Sequence, residues 1–298
     1  MPAITIITPS FNNGPTLKWA IESVRRQSFT DYEHFIVGDG IVDTGREIAE
    51  RYVAEDSRAR FFDNPKGPRH GEDHRHAALR QASGEVICYI SDDDLWFDDH
   101  LERMLRLIPG FDFVHTLSVC AFANGTINLY YTDMSTATYR ERMLSGINDM
   151  SPCALAHTRE AYNRLERGWS ADIEPGMPGD LACWQQFLRI DGLRYGCGGT
   201  VSSLHVPAGD PDRVPGDEAR YRQLEELMRI LRDPGRAAGL RQRLTDDLYR
   251  HAAARQADSI YFRELAEQLE DQLREARQEI QRRPTGLRDA LRRRLLRR

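Results

Sequence analysis

The segment Val86-Ile-Cys-Tyr-Ile-Ser-Asp-Asp-Asp94 indicates the fold class of this chain. Five apolar residues run without interruption and are followed by one serine and three aspartates. An apolar run of this length is typical of a strand that is buried on both faces of a parallel sheet. Because α/β proteins bind ligands beyond the carboxyl ends of such strands, we expect Asp92–Asp94 to lie at a binding edge.

Strand and helix patterns alternate through the first hundred residues. The apolar runs Ala3–Thr8 and Phe35–Val37 predict two more strands, and apolar residues at helical spacing predict helices between them. This alternation predicts an α/β fold with a mostly parallel sheet built from right-handed βαβ units. Pro9–Asn12 follow the first strand and Asp39 follows the second. We expect these polar residues to meet Asp92–Asp94 at one edge of the sheet.

The composition limits the class of protein. The 298 residues include 41 Lys or Arg and 46 Asp or Glu, a formal net charge of −5, which argues against a nucleic acid as the partner. No run approaches the roughly 20 apolar residues that span a bilayer, and the N-terminus lacks the basic start of a signal peptide. The five cysteines are scattered, odd in number and never in CxxC spacing. We therefore expect free thiols and a cytoplasmic protein.

The aspartate triplet Asp92–Asp94 is a candidate metal site. Carboxylates held this close repel one another unless a cation lies among them, and the hard ions Mg²⁺ and Mn²⁺ prefer oxygen ligands. The alternative is a solvated loop, on which acidic triplets are common. The position at a strand end, in line with Asp39, favours the binding site.

Eight short motifs are spread over residues 8–205 of the chain. They are Thr8-Pro-Ser-Phe-Asn12, Phe35-Ile-Val-Gly-Asp-Gly40, Arg75-His-Ala-Ala-Leu79, Ser83-Gly-Glu85, Tyr89-Ile-Ser-Asp-Asp-Asp94, Ser151-Pro-Cys-Ala-Leu155, Gly179-Asp180 opening a Trp-containing helix, and His205. Together they resemble the GT-A-fold glycosyltransferases of family 2, closely over residues 2–110 and less closely as far as residue 206. The resemblance implies a GT-A, Rossmann-like catalytic domain.

The resemblance also implies how a nucleotide would bind. Asp39 resembles the carboxylate that accepts the N3–H of a uracil or thymine ring; the family usually has two acids here, whereas Gly38 precedes Asp39 in this chain. Asp92 would face the ribose, and either Asp93 or Asp94 would hold the metal under the diphosphate. The implied nucleotide-binding residues are Pro9, Ser10, Phe11, Asn12, Asp39, Arg69, Asp92 and Asp93, and the implied metal ligands are Asp93, Asp94 and His205.

Several candidate residues have structural alternatives. Arg69 either braces the base or the phosphate or lies exposed on the surface, and His205 is either a ligand or an ordinary surface or packed histidine. Asp180 matches the family's base position ahead of an aromatic helix, or else it caps that helix. Trp184 and Tyr195 either stack on an acceptor sugar or pack in the core.

The resemblance implies an inverting glycosyltransferase that uses a nucleotide-diphosphate sugar, with UDP favoured, and Mn²⁺ or Mg²⁺ as the cofactor. The metal would neutralise the charge that develops on the leaving diphosphate. Asp180 would take the proton of an acceptor hydroxyl on a glycan or on a lipid- or protein-linked sugar. A sugar-nucleotidyltransferase is one alternative, although the Pro9–Pro15 loop has none of the basic residues that a triphosphate favours. A non-catalytic scaffold that binds a nucleotide sugar is the other.

The chain divides into a catalytic part and a helical part. Residues 1–206 are expected to form the GT-A domain, with a nucleotide-sugar half at 1–110 and an acceptor half at 111–206. A polar linker at 207–216 leads to a helical extension at 217–298, where Arg, Glu, Gln and Leu dominate.

The helical extension contains two segments of interest. A heptad seam at 258–282 favours either a short coiled coil that makes a homo-oligomer or a helix that packs on its own domain. The basic tail at 288–298 either docks on anionic lipid, peripherally on the inner face of the membrane, or stays solvated. The seam residues are Phe262, Ala266, Leu269, Leu273, Ala276 and Ile280.

Overall fold

A computed structural model describes residues 1–11, 14–121, 127–130, 132–148, 150–206 and 218–282. Within these residues, nine strands form a single mixed sheet. The strands are β1 (Ile4–Ser10), β2 (Tyr32–Gly38), β3 (Ala59–Phe62), β4 (Val86–Tyr89), β5 (Leu95–Trp96), β6 (Phe113–Ala121), β7 (Ile127–Tyr130), β8 (Leu155–Thr158) and β9 (Tyr195–His205).

Helices follow the early strands and cover the sheet. They are α1 (Gly14–Arg25), α2 (Asp43–Glu55), α3 (Glu72–Leu79), α4 (His100–Leu107), α5 (Ala137–Leu144), α6 (Arg159–Asn163), α7 (Gly179–Leu188), α8 (Glu218–Leu231) and α9 (Pro234–Arg282), with a 3₁₀ turn at Pro152–Ala154.

The strand order confirms the α/β class. Along the sheet the order is β3-β2-β1-β4-β8-β6-β9-β5, and β7 pairs with β6. Strands β1 to β4 are mutually parallel, as the alternating pattern predicts. Beyond β4 the sheet is mixed, because β8 is antiparallel to both of its neighbours while β9 runs parallel to β6.

The apolar runs form strands because both faces of the sheet are buried. In β1, Ile7 packs in a cluster with Phe35 and Trp184 on one face of the sheet. The preceding residue, Ile6, packs with Val24 in the cluster on the opposite face. All five side chains have at most 1% exposure. Side chains alternate between faces with a period of two, so a continuous apolar run is what a strand covered on both sides requires.

The compact unit runs from Met1 to Leu248, beyond the expected domain boundary at residue 206. The reason is apolar packing, because α8 and the first turns of α9 cover the β5–β9 end of the sheet. Their buried residues Leu224, Met228, Leu231, Leu244 and Leu248 share one cluster with Trp19, Leu95, Phe97 and Val206. The expected linker at 207–216 lies outside the described residues.

The second unit, Tyr249–Arg298, is described as far as Arg282 and continues α9. Leu269 of the heptad seam is half exposed. The other seam side chains and the basic tail lie outside the described part, so the coiled coil and the lipid contact stay predictions. No described helix has both the length and the apolar composition that crossing a bilayer requires.

Candidate active site

The ends of β1, β2 and β4 meet through direct hydrogen bonds. The Ser10 hydroxyl donates to Oδ2 of Asp92 at 2.7 Å, and the backbone N–H of Asp39 donates to the Ser10 carbonyl at 2.9 Å. The structure therefore brings together the strand ends that the sequence pattern pointed to. They border a cavity of about 320 Å³, here called the strand-end cavity. Its lining is Pro9, Ser10, Phe11, Asp39, His70, Arg75, Ser91, Asp92 and Asp93.

Asp39 is buried and held by two donors. Lys66 Nζ lies 2.7 Å from Oδ2, and the Gly67 N–H donates to Oδ1 at 2.6 Å. Gly71 lies against this carboxylate with φ of +74°, and a Cβ there would come within 2.9 Å of the Asp39 Cβ. Lys66 also sits 5.0 Å from the centroid of the Phe11 ring. The Lys66 ammonium and the Phe11 ring thus lie near the Asp39 carboxylate at the carboxyl end of β2.

The three consecutive aspartates have three different environments. Asp92 accepts the Ser10 hydrogen bond, and Asp93 forms a buried ion pair with Arg220 of α8. Asp94 is fully buried, and its Oδ1 accepts hydrogen bonds from His205 Nδ1 at 2.8 Å and from the Val206 N–H at 3.0 Å. Asp94 Oδ2 has no hydrogen-bond partner among the described residues.

Asp94 and His205 fit a divalent cation. A buried carboxylate oxygen without a partner is costly unless a cation satisfies it. Ligand atoms of Asp94, His205 and Cys153 lie within 4.8 Å of one another. Burial and the nearby Asp94 charge raise the pKa of Cys153 well above its usual value, so its thiol stays protonated. Carboxylate and imidazole are the donors that remain, and they suit Mn²⁺ or Mg²⁺ better than a thiol does.

The pKa of His205 reflects its position against Asp94. Burial lowers this pKa, but the charge of Asp94 and its hydrogen bond outweigh burial and raise the pKa above the ordinary value. Because Nδ1 bonds to the carboxylate, that carboxylate fixes the orientation of the ring.

Asp180 stands in the first turn of α7 and is not its N-cap residue, because Pro178 occupies that position. Its Oδ1 accepts from the Leu181 N–H and its Oδ2 from the Asn148 amide, both at 2.8 Å. Asp180 and His205 line a second cavity of about 330 Å³, here called the α7 cavity. Its lining is Ser91, Asn148, Met150, Ser151, Pro152, Asp180 and His205.

Comparison with known protein families identifies the family of this chain. The profile described as "Glycosyl transferase family 2" matches residues 5–165, more than half of the chain. The chain belongs to glycosyltransferase family 2.

Curated relatives share the first part of this family 2 chain. A GalNAc(5)-diNAcBac-PP-undecaprenol beta-1,3-glucosyltransferase of Campylobacter jejuni is 31% identical over 106 residues, which cover 36% of this chain and 34% of the relative. A UDP-Glc:alpha-D-GlcNAc-diphosphoundecaprenol beta-1,3-glucosyltransferase of Escherichia coli is 30% identical over 107 residues, covering 35% and 40%. The chain thus spans well under two thirds of these relatives.

Solved structures of TarS from S. aureus share the fold. TarS 1-349 in complex with UDP-GlcNAc superposes with a TM-score of 0.52 at 17% identity, covering 76% of this chain and 65% of that one. The complex of TarS 1-349 with UDP gives a TM-score of 0.53 at 15% identity, covering 76% and 64%. At this level of identity the likeness establishes the GT-A-like fold of the family 2 chain.

The remaining predicted residues of this family 2 site are less central. Arg69 does not line the strand-end cavity; it donates to the Met177 carbonyl at 2.6 Å and borders a third cavity beside Asp180. Phe11 is partly exposed at the rim, and Asn12 lies outside the described residues. Trp184 is fully buried in the core, which excludes stacking on a sugar.

Arg75 is a site residue to which the sequence analysis assigned no role, although it stands in one of the quoted motifs. Its guanidinium stacks 4.1 Å from the Trp169 ring and donates to the His70 carbonyl at 2.7 Å. It lines both the strand-end cavity and the third cavity. Burial lowers its pKa, which the nearby charges of Glu72 and Asp180 oppose. A buried guanidinium therefore lines both the strand-end cavity and the third cavity.

Proposed function

We propose that this chain is an inverting glycosyltransferase that moves a sugar from a UDP-sugar to an acceptor hydroxyl. One observation carries the proposal: Ser91, at the head of the aspartate triplet, lines both the strand-end cavity and the α7 cavity. A donor whose base lies near Asp39 would reach with its diphosphate to Asp94 and His205. Its sugar would then face Asp180.

The pair Asp39 and Lys66 favours uracil as the base. Uracil presents an N3–H donor between two carbonyl acceptors, which complements a carboxylate acceptor beside an ammonium donor. Cytosine has no hydrogen on N3 and would place an acceptor against the Asp39 carboxylate. The TarS complexes with UDP and UDP-GlcNAc belong to the same fold and support this choice.

Asp94 and His205 would hold the divalent cation, Mn²⁺ or Mg²⁺. When bound, such an ion neutralises the charge that develops on the departing diphosphate. Asp94 Oδ2, which has no hydrogen-bond partner within the described ranges of the chain, supports this assignment. Asp93 was also a candidate ligand, but its carboxylate already pairs with Arg220, and this pairing favours Asp94.

Asp180 would act as the general base. The acceptor hydroxyl gives its proton to the Asp180 carboxylate while its oxygen forms a bond to the anomeric carbon. The bond from that carbon to the phosphate oxygen breaks, and UDP leaves from the opposite face, so the configuration inverts. The N–H of Leu181 and the amide of Asn148 fix the carboxylate in the wall of the α7 cavity.

The acceptor is proposed to be a glycan or a lipid- or protein-linked sugar. The names of the Campylobacter jejuni and Escherichia coli relatives describe acceptors on diphosphoundecaprenol. Such an acceptor lies at a membrane surface, which fits the proposed lipid contact of the basic tail at 288–298 on the inner face of the membrane.

The direct test is a thermal-shift panel of UDP, dTDP, GDP and CMP with and without Mn²⁺, followed by hydrolysis of UDP-sugars without acceptor. A nucleotide at 100 times its Kd stabilises by about 2.7 kcal/mol, which raises Tm by roughly 5–10 °C for a domain of this size. We expect UDP with Mn²⁺ to give the largest shift. A selective shift with GDP or CMP, or Mn²⁺-independent binding with no UDP-sugar turnover, would contradict the proposal.

A further inference from the structure

We propose that Arg220 is a positioning residue of the cation site, supplied by a helix that follows the segment matched by the family. Its guanidinium holds the residue before Asp94 and the residue after His205, and thereby keeps these two ligands together. The inference rests on the proposed function only in taking Asp94 and His205 as the cation ligands.

The contacts of Arg220 form a closed link around the cation site. Its side chain forms an ion pair with Asp93, and both side chains are only 9% exposed. Its Nη2 also donates to the Val206 carbonyl at 3.0 Å. The N–H of the same Val206 donates to Asp94 Oδ1 at 3.0 Å. The Arg220 guanidinium therefore links Asp93, in the turn that follows β4, to Val206, the residue that follows β9.

The charge of Arg220 also bears on the triplet. Three successive carboxylates repel one another, and each one that is not paired disfavours the charged state of its neighbours. Burial lowers the pKa of Arg220, an effect that the Asp92 charge opposes. A guanidinium cannot be deprotonated at neutral pH, so this positive charge is permanent. Asp93 is thus neutralised by the protein, and Asp94 is left for the cation.

Helix α8 gives Arg220 a rigid base. Leu224, Met228 and Leu231 of α8 are at most 1% exposed and pack in one cluster with Trp19 and Phe97. Because the helix is anchored independently of the acidic residues, Arg220 can hold them in a fixed place rather than follow them.

The test is Mn²⁺ affinity of the full chain without nucleotide, measured from the electron paramagnetic resonance signal of free Mn²⁺. The variants are Arg220→Gln, Arg220→Lys and Asp93→Asn, and the matched control is Arg232→Gln, which breaks the remote ion pair with Glu22. Replacing a residue that orients metal ligands typically lowers metal affinity 10–100-fold. We expect a loss of this size in Arg220→Gln, partial recovery in Arg220→Lys, and wild-type affinity in the control.

Two further measurements separate positioning from mere folding. In UDP-sugar hydrolysis, raising the Mn²⁺ concentration should restore the kcat of Arg220→Gln, because only the apparent KM for Mn²⁺ is affected. In an Asp93→Asn background, Arg220→Gln should cost clearly less additional Mn²⁺ affinity than it does alone, since the two residues act as a pair. If Arg220→Gln does not fold, Asp93→Asn removes the same ion pair and should weaken Mn²⁺ binding, and Arg220→Lys should weaken it less; wild-type affinity in Asp93→Asn would then overturn the inference.

The inference is overturned if folded Arg220→Gln binds Mn²⁺ as tightly as wild type, or if Arg232→Gln weakens binding equally. It is also overturned if the wild type binds no Mn²⁺, or if Asp94→Asn leaves Mn²⁺ binding unchanged. A wild type that binds Mn²⁺ through Asp94 but turns over no UDP-sugar contradicts the proposed function alone and leaves the role of Arg220 standing.

Discussion

Replacing Asp180 with asparagine is the sharpest test of the proposed chemistry. Asp180 has two partners, the Leu181 N–H and the Asn148 amide, each at 2.8 Å. An asparagine keeps one carbonyl oxygen for Leu181, and the Asn148 amide can turn its oxygen toward the new NH₂ group. The residue is partly exposed, so we expect the free energy of unfolding to change by less than about 1 kcal/mol.

The expected loss of activity is much larger than the loss of stability. A positioned general base contributes about 10²–10⁴-fold to the rate, and each tenfold corresponds to about 1.4 kcal/mol. Asp180→Asn should therefore lower kcat for sugar transfer 10²–10⁴-fold, which is roughly 3–5 kcal/mol of transition-state stabilisation. UDP affinity should stay within twofold, because Asp180 does not line the strand-end cavity.

The assay is steady-state transfer from a UDP-sugar, with UDP binding measured by calorimetry on the same preparations. Asn148→Ala serves as the matched control, since it removes one orienting donor but keeps the carboxylate. It should lose activity by about tenfold, less than Asp180→Asn does. If Asp180→Asn retains kcat within threefold of wild type while folded, Asp180 is not the base.

Three further outcomes follow from the geometry. Asp39→Asn should lower UDP affinity about 10–100-fold in calorimetry, because a charge-assisted hydrogen bond is worth about 1.5–3 kcal/mol, and should leave Mn²⁺ affinity the same. An unchanged UDP affinity would rule out the contact between Asp39 and the nucleotide base. Gly71→Ala should lower the free energy of unfolding in urea by about 1–3 kcal/mol and weaken UDP binding, since its Cβ would meet Asp39. The control Gly110→Ala, also at positive φ but with open space around its Cβ, should affect stability alone; equal UDP affinity in the two variants would contradict this. The free energy of unfolding should also fall between pH 6.5 and pH 4, because burial lowers the pKa of His34 and His100 to about 3 and of His157 to about 4. The unfolded chain takes up these protons first, so urea unfolding at pH 5 should show a loss of about 2 kcal/mol per histidine relative to pH 7. A free energy of unfolding that does not change over this pH range would refute the prediction.

The sequence was informative where local pattern determines structure. The apolar run before Asp92 and the turn residues after β1 and β2 predicted the strand ends, and the hydrogen bonds between Ser10, Asp39 and Asp92 show that these ends meet. A parallel sheet places the carboxyl ends of its strands at one edge, so pattern and topology together were sufficient.

Residues whose role depends on tertiary packing were missed. Lys66 follows β3 in a loop with no motif, and only the fold brings its ammonium to Asp39. Arg220 lies beyond the expected boundary at residue 206, in a segment whose many charges suggested a separate extension. The spacing of Leu224, Met228 and Leu231 by four and three residues was the available signal, because it indicates one apolar helix face that must be covered.

The sheet order also has a consequence for how the chain is made on the ribosome. Strands β1 to β4 are neighbours in space and are complete once about the first 90 residues have emerged. Trp96 of β5, two residues after Asp94, pairs with Ser203 and must wait for more than a hundred further residues to be synthesised. During that interval the strand-end cavity can form while Asp94 has no histidine beside it. On the proposed function, a nascent chain should therefore gain affinity for the nucleotide before it gains the ability to cleave the donor.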